Sequence, residues 1–294
     1  MDRWVKCIST RGTVRGISIQ ATDLVKGLVH RHGLEAFAAQ AMGEATIGAL
    51  LLAAYCKGGE RINLNIRGTG GVRQALADAS PDGTTRGYVV QREVGSLTAT
   101  HEKQVNPGPW GDGLLSVLRT QRTEGSQPYI GTVPLLTGHL AKDLSFYWVQ
   151  SEQVPSAVGL AVNFKDNVVT SAGGFLIQAM PGASQAEIAI IDHHIHELQS
   201  YASRLAENAD PLILLSQVFQ DMAFVILEET PLHFKCTCSR ERVERALILT
   251  GLEELRSMAE DPKGASVRCD FCTTDYNVTQ ESLRQMLARE NAPT

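Results

Sequence analysis

The sequence predicts an α+β N-terminal domain built on an antiparallel sheet, a helical linker, and a small C-terminal zinc-binding domain with four cysteine ligands. Three observations carry that expectation. Over residues 1–180, strand-like segments mix irregularly with helical ones instead of repeating as βαβ units. Pro181-Gly182 punctuates the chain, and two apolar stretches of helical character follow it. Four of the six cysteines then stand near the C-terminus as two close pairs, Cys236-Thr-Cys238 and Cys269-Asp-Phe-Cys272. The expected boundaries are 1–180 for the first domain, 181–231 for the linker and 232–294 for the zinc domain.

Within the first domain, Arg61–Arg67 alternates cleanly, with Ile62, Leu64 and Ile66 on one face and Arg61, Asn63, Asn65 and Arg67 on the other. That is the period of a half-buried strand. Further strands are expected at Gly87–Gln91, Ser96–Glu102, Tyr129–Val133 and Ala157–Phe164. A turn at Lys165-Asp166-Asn167 leads into Val168–Ala172, with Phe175–Met180 beyond it, which is the pattern of a hairpin-rich antiparallel sheet. Helices fit Ala36–Cys56 and the segment after Thr137, where Thr137 is placed to N-cap a stripe of Leu140, Leu144 and Tyr147.

In the linker, Ala183–Asn208 carries Ile188, Ile191, Ile195, Leu198 and Leu205 at helical spacing, so one face must pack on something. A second helix, more apolar still, is expected over Pro211–Glu229. In the C-terminal domain, Ser239 is placed to N-cap a helix through Leu249, and Thr250-Gly-Leu-Glu253 has capping-box spacing for another that ends at Asp261-Pro262. Tyr276–Val278 reads as a strand, and Thr279 as the cap of a last helix with Leu283, Met286 and Leu287 inward. A module of about sixty residues rarely holds itself folded by its core alone.

At 294 residues, 43% of them hydrophobic and 20% charged, the chain has ample apolar surface to bury in two domains. A net charge of −5 and a pI near 5.9 give no global reason to bind nucleic acid. No cationic stretch followed by an apolar core opens the chain, so no secretory leader is expected. The apolar run Ala45–Cys56 is too short and too broken to span a bilayer. These features point to the cytoplasm, where close cysteine pairs mean metal or redox chemistry rather than structural disulfides. Cys7 and Cys56 have no nearby cysteine in sequence and read as ordinary small buried or half-buried residues.

Two short cysteine pairs separated by a thirty-residue insert suit a tetrahedral zinc ion, each pair gripping one side. Zinc binding by an unfolded thiolate peptide is worth on the order of 10–16 kcal/mol at neutral pH, against about 5–15 kcal/mol for a whole domain. The metal term therefore rivals everything else in this module, and removing the ion should unfold it. The same arrangement puts each thiol beside a partner it can oxidise with, so a permanent zinc ribbon and a site built to come apart both remain open. Oxidation of Cys269 with Cys272 would close a two-spacer disulfide and remove two ligands at once. Cys236 with Cys238 would close a tighter ring, and is expected second.

Other candidate sites are weaker. From Leu232 to Thr294 nine Lys and Arg face ten Asp and Glu, and four thiolates around Zn2+ add two negative charges, which repel phosphates. Four sulfur ligands leave no open coordination position for catalysis. His233, three residues before Cys236, is an alternative ligand. Gly68-Thr69-Gly70-Gly71 lacks both the dinucleotide spacing and a following Gly-Lys-Ser/Thr, and reads as a turn after the strand at 61–67. His193, His194 and His196 read as a solvated polar face, with a minor metal or pH-sensing role as the alternative. No Gly-x-Ser-x-Gly elbow and no marked carboxylate pair appear, so no catalytic residues are expected.

The chain resembles the redox-regulated heat-shock holdases of about thirty-three kilodaltons, also called thirty-three-kilodalton chaperonins. Cys236-Thr-Cys-Ser-Arg-Glu-Arg242 and Cys269-Asp-Phe-Cys272 look like that family's zinc signature, including its insert length. Tyr147-Trp-Val-Gln-Ser-Glu-Gln-Val-Pro-Ser156, Ala172-Gly-Gly-Phe175 and Gln178-Ala-Met-Pro-Gly182 look like its N-terminal domain. The resemblance implies an ATP-independent holdase, not an enzyme, that is silent when reduced and holds one zinc ion through Cys236, Cys238, Cys269 and Cys272. It implies that oxidative stress pairs Cys236 with Cys238 and Cys269 with Cys272, expels the zinc, and unfolds the zinc domain and linker. Unfolding client proteins are then held from aggregation, and the chaperone tends to form a homodimer; neither nucleic acid nor membrane enters. A constitutive zinc-ribbon adaptor for a folded partner is the rival reading, and a dithiol oxidoreductase using Cys269 and Cys272 a distant third.

Overall fold

The computed structural model describes residues 1–91, 110–121, 127–198 and 200–290, and the chain divides into two compact units, Met1–Lys235 and Cys236–Thr294. Alternation at residues 61–67 yields a strand of the first unit whose Ile62, Leu64 and Ile66 are fully buried. In chain order this unit runs β1 (Arg3–Ser9), β2 (Val14–Gln20), α1 (Thr22–His32), α2 (Ala36–Ala53), β3 (Arg61–Gly68), β4 (Val72–Ala79), β5 (Thr84–Gln91), β6 (Gly113–Thr120) and β7 (Tyr129–Pro134). It continues with α3 (Leu140–Gln150), β8 (Ser156–Lys165), β9 (Val168–Ala179), α4 (Gln185–Glu197), α5 (Tyr201–Glu207), α6 (Pro211–Val218), β10 (Phe224–Pro231) and β11 (His233–Phe234).

The strands form two sheets, ordered β10-β1-β2-β9-β8 and β11-β5-β4-β3-β6-β7. All pairings are antiparallel except β11 on β5. This is the expected α+β class. The expected strands at Gly87–Gln91, Tyr129–Val133 and Ala157–Phe164 fall in β5, β7 and β8, while Val168–Ala172 and Phe175–Met180 merge into β9. Ser96–Glu102 lies outside the described residues. Asp166 and Asn167, at φ of 50° and 62°, turn β8 into β9 in the left-handed conformations that suit a tight hairpin.

Helix α2 lies between the sheets, packed on β3, β4 and β5 of one and on β8 and β9 of the other. Its sequence is apolar nearly all round because both sides are covered. Gly43 permits the close approach, since a Cβ there would stand 2.6 Å from the Val162 side chain. Leu140, Leu144 and Tyr147 form the buried stripe of α3 as expected, but Thr137 is not its cap: the N-cap position is His139. The Thr137 hydroxyl accepts from the His139 N–H, and Asp143 Oδ1 accepts from the N–H groups of Leu136 and Thr137. The buried aspartate organises the turn instead.

The segment after Pro181-Gly182 departs from two long helices. Ser184 and Glu187 close a capping box on α4, and Ser200 caps a separate α5. Asp210 caps α6 with Pro211 in its first turn, yet this helix stops at Val218. Residues 224–229, expected as the end of that helix, belong instead to strand β10, which pairs with β1 from Arg3↔Pro231 to Ser9↔Phe224. An unbroken apolar run carries no period, so Phe224, Val225 and Ile226 take the strand for which aromatic and β-branched side chains are suited. Helices α4 and α6 cover one face of the five-stranded sheet. Leu214, Leu215, Val218 and Phe219 bury against Val5, Cys7, Val14 and Ile177 as a second apolar core.

The second unit consists of α7 (Arg240–Leu249), α8 (Leu252–Glu260), β12 (Ala265–Arg268), β13 (Asp275–Val278) and α9 (Gln280–Glu290). Ser239 caps α7 by accepting from the Arg242 N–H, and Thr279 receives the Ser282 N–H at the start of α9. Thr250 does not build a capping box. Its hydroxyl donates back to Leu247 O, and Gly251 at φ 104° is the N-cap residue of α8. The core of this unit comprises Val243, Leu247, Leu255, Ala259, Val278, Leu283 and Met286.

Candidate metal centre

Each cysteine pair is set in place by the element beside it. Cys238 immediately precedes the Ser239 cap of α7, so the first pair sits at a helix N-terminus, where the dipole favours negative charge. Arg242 Nη1 donates to Thr237 Oγ1 at 2.8 Å and fixes the residue between the two sulfurs. The second pair occupies the turn of the β12–β13 hairpin. Cys269 N–H donates to Thr274 O at 3.0 Å, Thr273 N–H donates to Cys269 O at 2.8 Å, and Thr273 takes a left-handed φ of 59° to close the loop.

These elements bring Cys236, Cys238, Cys269 and Cys272 together, with all four Sγ atoms within 4.8 Å of one another. Cys272 is buried and the other three are half-buried. A tetrahedral ion bonded to sulfur at about 2.3 Å spaces its ligands about 3.8 Å apart. Cys236 and Cys269 stand at 3.8 Å, and Cys238 and Cys272 at 3.3 Å. Four soft donors at these separations fit a thiolate metal site, and His233 is not among them: it lies exposed on β11 in the first unit.

The local electrostatics separate the thiols. Burial pushes Cys269 up to about 12 despite N–H contacts from Cys272 and Phe271, and it raises Cys238 despite the Tyr276 hydroxyl. For Cys272 burial also acts upward, but the Thr274 hydroxyl and N–H and the thiols of Cys238 and Cys269 outweigh it and bring it down to about 6. Burial thus favours the neutral thiol at Cys238 and Cys269, and a cation binding there must displace their protons. The Tyr276 hydroxyl donates to Cys238 Sγ at 3.0 Å, and the Thr274 hydroxyl stands 3.2 Å from Cys272 Sγ. Neither hydroxyl follows from the cysteine spacing; Tyr276 reads in sequence only as a strand residue.

The remaining singled-out residues serve the first unit. Gly68–Gly71 forms the turn between β3 and β4, where a Cβ on Gly68 would strike Trp110 O at 2.2 Å. Cys7 is buried and Cys56 half-buried, as expected. The histidines do not share one solvated face. His193 and His196 are exposed beside Glu197 and Asp192, but His194 is buried, with Nδ1 2.9 Å from Val218 O and Nε2 3.0 Å from Asp221 Oδ2. No helix among the described residues is long and apolar enough to cross a membrane.

Residues 2–279 match the family model described as Hsp33 protein. A 33 kDa chaperonin of Geobacter sulfurreducens is 37% identical over 286 residues, covering 97% of this chain and 94% of the relative. One from Enterococcus faecalis is 32% identical over 287 residues, covering 97% and 96%. The solved structure of the 33 kDa chaperonin (heat shock protein 33 homolog) of Thermotoga maritima superposes with a TM-score of 0.85 at 30% identity, covering 98% of each chain. An α+β body with a four-thiolate module, matched along nearly its whole length by chaperones, is itself of the chaperone class and not an enzyme. The chain belongs to the Hsp33 family.

Proposed function

We propose that this protein is a redox-regulated, ATP-independent holdase, inactive when reduced and zinc-bound, that protects unfolding proteins from aggregation after oxidation. The observation that carries this reading is the gathering of four sulfurs inside a unit whose apolar cluster, among the described residues, is small. A bound zinc ion, held by Cys236, Cys238, Cys269 and Cys272, supplies the charge that keeps these thiols deprotonated and the bonds that join the two segments. On oxidation, Cys269 pairs with Cys272 and Cys236 with Cys238. Each pair of thiolates gives two electrons to one peroxide, forming one disulfide and two hydroxide ions. Four ligands are lost, and the small core of the second unit cannot hold its fold alone.

Cys236 follows directly on β10 and β11, so disorder in the second unit reaches these strands through the backbone. Release of β10 and of helices α4–α6 bares the apolar sheet face formed by Val5, Val14 and Ile177. Exposed surface of this kind binds unfolding clients and favours a homodimer of the oxidised protein. The protein acts in the cytoplasm, on protein clients, with no role for nucleic acid or membrane.

The test is to follow zinc release and the aggregation of a heat-denatured client together, with and without peroxide. A holdase switch gains protective activity in step with metal loss. A constitutive adaptor loses its fold and protects nothing, and a dithiol oxidoreductase turns over disulfide substrates; either result removes this assignment.

A further inference from the structure

Tyr276 lies on β13, two residues beyond the hairpin turn that carries Cys269 and Cys272, yet its hydroxyl reaches the other cysteine pair, at Cys238. Tyr276 pairs with Val267 across the hairpin and packs with the apolar cluster of the second unit, so the ring is held in place by the fold. A deprotonated Cys238 has no proton of its own to offer, and the phenol is then the donor. A hydrogen bond to thiolate sulfur draws charge from the lone pair that must attack an oxidant.

We infer that Tyr276 is a positioning residue that holds back oxidation of Cys238 and so makes the Cys236–Cys238 pair resistant to peroxide. This deepens the redox reading and rests on it. The step it governs is attack of the Cys238 thiolate on peroxide, giving a sulfenic acid and one hydroxide. The Cys236 thiolate then displaces a second hydroxide to form the disulfide, so two electrons leave the sulfur pair and reduce one peroxide to two hydroxides. With the phenol in place the Cys238 lone pair is partly engaged, and the first attack is slowed. The contact also links the strand after the second pair to the first pair, so it orders both ligand segments around one point.

The experiment uses the full chain as wild type, Tyr276→Phe, and a form with 3-fluorotyrosine at 276, at a pH where that phenol keeps its proton. Each is loaded with Co2+ for the sulfur-to-metal charge-transfer band, and separately with Zn2+ for a peroxide time course in which each modified cysteine is located by mass spectrometry. Tyr276→Phe is expected to shift the band to lower energy and to speed Cys238 modification roughly three- to tenfold, the rate equivalent of one hydrogen bond. The fluorinated phenol, a stronger donor, is expected to move both readouts the opposite way. A merely structural role for the ring does not reverse sign between these two forms. If all three bind Co2+ with the same band and oxidise Cys238 at the same rate, or if both altered forms move in one direction, the inference is overturned. If the wild type binds no Co2+ or Zn2+, it is the underlying metal-switch reading that fails instead.

Discussion

Cys238 Sγ stands 3.3 Å from Cys272 Sγ, one sulfur from each pair, across 34 positions of sequence. The contact joins the N-terminus of α7 to the β12–β13 hairpin. Three cationic or polar handholds at this end, Arg240 with Glu244, Arg242 with Thr237 and Arg240 with Asn277 O, are exposed and therefore worth little. A metal term of about 10–16 kcal/mol exceeds any of them and rivals the stability of a whole domain. Cys272→Ser is therefore expected to abolish stoichiometric zinc and to leave amides of residues 236–290 unprotected in hydrogen exchange, while the first unit keeps its protection. Strong chelation of the reduced wild type should give the same pattern. Persistent protection of α7–α9 in either sample would show that the metal is not what holds this unit.

Cys7 would report the linker release proposed above. It is fully buried beneath Val218 and Phe219, and burial pushes its thiol up to about 12, so it is inert as folded. In reduced, zinc-loaded protein a maleimide should leave Cys7 unlabelled over hours. After peroxide treatment and loss of metal, its labelling is expected to accelerate at least about tenfold, because a thiol reacts through the open state. An unchanged rate would mean that the apolar face stays covered throughout activation.

Glu44 makes the first unit pH-sensitive. Its carboxyl sits among apolar side chains on α2, and burial raises it to about 7 against the opposing Gln40 hydrogen bond. The neutral form is the one the core accepts, so stability is fully present below pH 4.5 and declines as pH rises through about 7. Glu44→Gln keeps the acceptor for Gln40 and removes the ionisation. It is expected to stabilise the first unit by on the order of 3 kcal/mol at pH 8 and by almost nothing at pH 4. Calorimetric melts at the two pH values check both halves; equal effects at both would place Glu44 outside this linkage.

What the sequence reveals follows from how local the signal is. The cysteine site is legible because two short spacings confine each pair before any tertiary structure exists, whereas Tyr276 reaches Cys238 only through the folded hairpin. β3 is legible because one face is wet, but β1 is not: Trp4, Val5, Lys6 and Cys7 are all buried, and a strand covered on both faces loses its alternation. Thr137 and Thr250 both carry hydroxyls with closer backbone partners than the helix ends assigned to them. β10 is hidden because its first half lies in the apolar stretch Met222–Leu227, which carries no period, and its identity depends on the edge of β1 that receives it.

Two of the helices before that edge, α4 and α6, meet at the buried His194. The ring spans α4 and the end of α6: Nδ1 lies 2.9 Å from Val218 O and Nε2 3.0 Å from Asp221 Oδ2. Val218 O is one of the last carbonyls of α6, which the helix itself cannot satisfy, so the ring completes that terminus from another helix. His194→Ala leaves a buried carbonyl without its partner and a void in place of the ring, a cost of roughly 1–3 kcal/mol. Since α4 and α6 cover the face that Cys7 belongs to, the loss should appear there first. Hydrogen exchange is expected to rise in 185–218 with little change in β3–β7, and the reduced, zinc-loaded protein should acquire part of the client-holding activity proposed above for the oxidised wild type. His194→Gln, whose amide can still donate to Val218 O, should recover most of the protection. Equal exchange in all three proteins would place the restraint on this linker elsewhere than in the histidine.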